Sequence, residues 1–101
     1  MDFENTIISK FAFLMADKGF AEPKIISNEK SYIRGVAFRK NKLIIEITNS
    51  SHPADYGFEI KMRSSKKSDR PIKIYSKAKE EQDKELRFLD EGAEKVKSLL
   101  S

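Results

Sequence analysis

Between Tyr32 and Arg63 the hydrophobic residues alternate in a way that a run of consecutive antiparallel strands satisfies. Tyr32-Ile33-Arg34-Gly35-Val36-Ala37-Phe38 and Leu43-Ile44-Ile45-Glu46-Ile47-Thr48 are rich in β-branched and aromatic side chains, and Arg39-Lys40-Asn41-Lys42 joins them. Two such runs with a short polar link read as a hairpin. Asn41 suits the left-handed backbone of its turn, because a short amide bonds locally to the main chain. In the second strand Leu43, Ile45 and Ile47 share one face, and Ile44, Glu46 and Thr48 the other. The turn-forming stretch Asn49 to Asp55, with Pro53 inside it, ends that strand. Tyr56, Phe58, Ile60 and Met62 then alternate with Gly57, Glu59, Lys61 and Arg63, giving one dry face and one wet face. The dry face needs a cover, since an exposed apolar sheet aggregates.

The two ends of the chain supply that cover. Asp2 is placed to cap a helix from Phe3 to Lys18, with Phe3, Ile7, Phe11 and Leu14 at helical spacing and Ile8, Ala12 and Met15 widening the stripe. Gly19 fits the left-handed stop beyond its end, and Phe20 folds back towards Met15. Phe13 lies off the stripe and reads either as a packing residue at the helix edge or as an exposed aromatic. At the other end, Ser76 or Lys77 to Leu100 is expected to be helical, with Leu86, Leu89, Ala93, Val96 and Leu100 as its stripe. Glu80–Lys84 and Glu91–Lys95 are i, i+4 pairs in the favourable order. The first two turns of this helix lack apolar anchors. Gly92 inside it costs about 1 kcal/mol against alanine, so it either packs tightly or marks a bend. Two shorter runs, 23–27 and 72–75, are candidate extra strands. The expected fold class is α+β: helix, antiparallel meander of three to five strands, helix, with both helices on one face of the sheet in a single domain spanning 1–101.

Chemistry is sparsely represented. With 101 residues and no cysteine, the chain has room for one modest core and no disulfide framework or thiol nucleophile. No apolar run approaches the roughly 20 residues that span a bilayer, and the acidic N-terminus is unlike a secretory signal. A cytoplasmic protein with no membrane association is expected. His52, the single histidine, sits near Ser50, Ser51 and Asp55, but neighbours on one turn seldom converge on one substrate atom. No metal-ligand spacing and no glycine-rich phosphate loop is present, so no catalytic residue, metal site or cofactor is assigned.

Charge is more informative. The net charge is +4, but residues 59–79 hold 8 basic and 2 acidic side chains while residues 80–101 hold 4 and 7. Lys61, Arg63, Lys66, Lys67, Arg70 and Lys73 make a candidate nucleic-acid surface, with Lys61, Arg63 and Lys73 on the open face of the sheet and Tyr75 nearby for stacking. The acidic segment that follows would repel phosphate. The other candidate is a protein-binding surface formed by Phe88 and Leu99, both opposite the main helical stripe, with Glu80, Glu81, Asp83 and Glu85 on a projecting helix start. The partner there would be another protein or a second copy.

Phe11-x-Phe13-Leu14, Gly19-Phe20, Tyr32 to Phe38, Leu43 to Ile47 and His52-Pro53-x-Asp55-Tyr56-x-Phe58 together resemble small bacterial proteins that include immunity proteins of polymorphic toxin systems. The resemblance covers roughly residues 3 to 63. It implies no enzyme activity and one surface that binds a toxin. The basic net charge departs from the acidic character usual in inhibitors of nucleases, which argues against a nuclease target, and no inhibitory residue carries over.

Overall fold

A computed structural model describes residues 3–28, 33–50, 57–64, 70–82, 85 and 87–100. Its centre is a five-stranded antiparallel sheet in the order β1-β2-β3-β4-β5. The strands are β1 (Lys24–Asn28), β2 (Ile33–Lys40), β3 (Leu43–Ser50), β4 (Gly57–Ser64) and β5 (Ile72–Lys77). Every strand pairs with its chain neighbour. Both short runs flagged in the sequence are therefore edge strands. The β2–β3 hairpin closes where expected: Lys40 pairs with Leu43 across Asn41 and Lys42, and Asn41 has φ 54°.

Pairing sorts the side chains by face. Val36 opposes Ile47, Phe38 opposes Ile45, and Ile60 opposes both Ile47 and Tyr75. Val36, Phe38, Ile45, Ile47, Phe58 and Ile60 are all fully buried, in one cluster with Ile7, Phe11 and Leu14 from the N-terminal helical segments and Phe88, Leu89, Ala93 and Val96 from the C-terminal helix. Both helical ends thus cover the same face. Fully burying a side chain of this size is worth about 1.5–3 kcal/mol, so this one apolar layer holds the helices to the sheet.

The N-terminal helix is not continuous. It divides into α1 (Phe3–Lys10) and α2 (Phe13–Ala16). At the break the ladder tightens: the amides of Ala12, Leu14 and Met15 donate to carbonyls three residues back, at 3.4, 3.0 and 3.1 Å. Each such step turns the chain by about 120° rather than about 100°. That extra rotation carries Phe13 towards the body, where it packs against the core 6.0 Å from the Phe11 ring. Gly19 (φ 76°) reverses the chain as expected, and Phe20 donates its amide to the Leu14 carbonyl at 2.9 Å and buries its ring. The closure reaches one residue further back than the Met15 contact expected from the sequence.

The C-terminal helix, α3, spans Arg87–Leu100 and begins some ten residues later than its charge pattern suggests. Ser76 and Lys77 belong to β5, opposite Glu59 and Phe58, and Lys79–Glu81 is a single 3-10 turn. The segment lacks apolar side chains to hold a helix on the core, so the sheet takes its first residues. Gln82 fixes the connection: its amide exchanges two 3.1 Å hydrogen bonds with Asn49 and donates to the Lys77 carbonyl at 3.3 Å. Among the described residues no helix is long and apolar enough to cross a membrane.

Candidate binding surfaces

Charged side chains tie α1 to the sheet and both N-terminal helices to α3. Glu4 on α1 is buried, and Arg34 on β2 donates to both of its carboxylate oxygens, at 2.8 and 2.9 Å. Lys10 reaches Asp90 at 2.9 Å, and Lys97 lies 5.0 Å above the Phe13 ring, so α1 and α2 are each tied to α3. Neither Phe88 nor Leu99 stands opposite the main stripe of α3, as the sequence reading had it. At about 100° per residue Phe88, Gly92 and Leu99 form a second line along one flank of the helix. That flank follows β4 and β5.

The line meets a different neighbour at each level. Phe88 is 1% exposed and packs edge-on against Phe58, with ring centroids 4.9 Å apart. It is a core residue and offers nothing to a partner, which corrects its assignment to the surface. Gly92 sits where a Cβ would lie 2.5 Å from Ile60 Cδ1 and 3.5 Å from Tyr75 Cδ2. Of the two readings of this glycine, tight packing is the one found. Leu99, at the far end, has passed the sheet's cover and is 50% exposed. Beside it Ile72, at the start of β5, is 59% exposed. Ile72, Ile74 and Leu99 line a groove of about 410 Å³ together with Lys73, Lys95 and Ser98.

The acidic residues assigned to the same surface do not join this groove. Glu80 and Glu81 are exposed on the 3-10 turn rather than on a projecting α-helix, and Glu85 is exposed on a turn before α3. Asp83 lies outside the described residues, as do Lys66, Lys67, Leu86 and His52. The expected Glu91–Lys95 pair is also absent. Glu91 instead accepts from the Tyr75 hydroxyl at 3.1 Å and faces Lys77 at 4.0 Å, which leaves Lys95 with no carboxylate partner among the described residues.

The candidate nucleic-acid residues do come together. Lys61 opposes both Glu46 and Lys73, and Arg63 opposes Ile44, so Lys61, Arg63 and Lys73 share rows on the open face, as expected. That face also carries its own anions. Arg63 donates to Glu46 at 2.9 Å, and Glu59 takes Lys61 at 3.2 Å and Lys73 at 3.8 Å. The Lys61 contact is close enough for charge pairing but off hydrogen-bond geometry, leaving the buried Glu59 Oε2 without a formal hydrogen bond. Ile44 is 4% exposed although it lies on this face; Arg39 and Arg63 flank it in register and their aliphatic stems are placed to cover it. Tyr75 is on the opposite, helix-covered side, edge-on to Phe58, and is no stacking platform. Arg70 is exposed just before β5.

No protein-family model, curated protein or solved structure matches this chain.

Proposed function

We propose that the chain is a non-enzymatic protein-binding module, of the kind represented by immunity proteins that neutralise a toxin in the bacterial cytoplasm. The observation that supports it is the pairing of Leu99 and Ile72, two large apolar side chains half or more exposed that line one groove, whereas Ile25, the other exposed large apolar residue among those described, stands on the opposite edge strand. Singly exposed apolar residues are common on folded proteins, and what sets these two apart is that they adjoin across one groove. The resemblance of residues 3 to 63 to immunity proteins points the same way, and the basic net charge favours a target other than a nuclease. Co-expression tests the immunity reading. If a toxin is encoded beside the chain, growth restored when the two are co-expressed supports the proposal; equal killing with and without the chain, or no toxin encoded there, removes the immunity reading.

The alternative is a nucleic-acid-binding protein using segment 59–79. It draws on Lys61, Arg63 and Lys73 sharing the open face, and it is opposed by Glu46 and Glu59, which already occupy those cations. Neutralising few phosphates gives a shallow salt dependence and weak binding. Fluorescence anisotropy with labelled DNA and RNA decides: salt-dependent saturation at physiological ionic strength would favour this alternative.

A further inference from the structure

Resting on the protein-binding reading, we infer that the groove between the α3 C-terminus and the start of β5 receives an apolar side chain from an acidic segment of the partner. The groove is lined by the apolar side chains of Ile72, Ile74 and Leu99 and by Lys73 and Lys95; Lys73 is already shared with Glu59 at 3.8 Å, which leaves Lys95 as the lining cation with no described carboxylate partner. Lys95 is the decisive residue. Its intrahelical partner Glu91 is drawn away to Tyr75 and Lys77, so its ammonium stands beside exposed apolar surface with no described carboxylate to neutralise it. An apolar anchor flanked by carboxylates fits both features, because a buried anchor supplies affinity while peripheral charges select and steer.

Two other occupants fit less well. Strand addition to β5 is discouraged by Pro71 at its entrance, by Lys73 and Lys77, and by the register shift opposite Ile60/Lys61. Proline, lysine and bulges are the devices that protect sheet edges from pairing. A second copy packed groove to groove about a two-fold axis would set Lys95 near its equivalent in that copy, a like-charge contact. Recognition therefore runs through side chains, from a partner of opposite sign.

The test uses the full chain, ¹⁵N-labelled, titrated with two capped hexapeptides that share a central Leu-Phe, one flanked by glutamates and the other by lysines. The expected result is amide shifts confined to residues 72–74 and 95–99, with the glutamate peptide binding at least about tenfold tighter than the lysine peptide, a difference of about 1.4 kcal/mol. Lys95→Glu reverses that preference, and Ile72→Thr, which keeps a β-branched residue in the strand, weakens both peptides. Both positions are exposed, and an unchanged amide spectrum elsewhere verifies the fold. Absence of shifts at 72–74 and 95–99 up to the solubility limit, equal affinity for the two peptides, or a dimer in sedimentation that Ile72→Thr abolishes would each overturn the inference. A natural partner that binds undiminished to both variants would overturn the groove while leaving the protein-binding reading standing.

Discussion

Gly92→Ala gives a prediction whose sign depends on packing alone. Helix propensity favours alanine over glycine inside α3 by about 1 kcal/mol. Against it, the new methyl would lie 2.5 Å from Ile60 Cδ1, and Ile60 is 0% exposed among Phe58, Ile47 and Phe88. The Cδ1 methyl must then move into a filled core, which costs about 1–3 kcal/mol. The net result is a loss of about 0–2 kcal/mol. Ile60→Val deletes that methyl and alone costs about 0.5–1.5 kcal/mol. In the Ile60→Val background Gly92→Ala becomes stabilising by up to about 1 kcal/mol, so the two substitutions couple by about 1–3 kcal/mol. Urea denaturation of the four proteins in the cycle, followed by circular dichroism, measures this directly. If Gly92→Ala stabilises the parent chain by the full propensity gain and Ile60→Val leaves that gain unchanged, α3 does not rest on Ile60 as described.

The remaining expectations concern the sheet and its covers. Phe88→Ala should lower stability by about 3–5 kcal/mol in the same denaturation assay, since it empties a core site against Phe58; a loss under 1 kcal/mol would return Phe88 to the surface. Arg34→Ala removes both donors from the buried Glu4 carboxylate and should cost about 1–2 kcal/mol, the lower part of the range because the guanidinium is largely exposed. A neutral outcome would mean that α1 is held by its apolar face alone. Glu46→Gln with Glu59→Gln should release Arg63, Lys61 and Lys73 and raise the salt needed to elute the chain from heparin; an unchanged elution would show that these pairs do not mask the face.

The strands were readable because alternation with period two leaves few other solutions: Ile45, Ile47, Phe58 and Ile60 all fall on the face that the pattern assigns. The helices were readable only in part. The break at Ala12 depends on a tightened ladder that no spacing in the sequence announces. The late start of α3 had a signal, the absence of large apolar residues between Lys77 and Gln82, but the acidic run there looks equally like an exposed helix face. Phe88 was misplaced because its flank of α3 is completed by a glycine. Phe88, Gly92 and Leu99 keep helical period, yet a position without a side chain does not register as apolar. The open face shows a similar limit. Charge counting finds eight cations in 59–79, whereas the cross-strand register decides which of them meet Glu46 and Glu59.

The most direct test of the account is a pull-down from the source cells, in which a protein partner is expected and the absence of any would contradict the account, followed by that partner's affinity compared across three exposed apolar positions. Ile72 and Leu99 line the proposed groove, while Ile25, 62% exposed on the opposite edge strand, is the internal control. Ile72→Lys and Leu99→Lys should each weaken binding by about tenfold or more, with Ile25→Lys unchanged. Loss of binding with Ile25→Lys and none with the other two would place the contact surface on the wrong edge of the sheet and contradict the account.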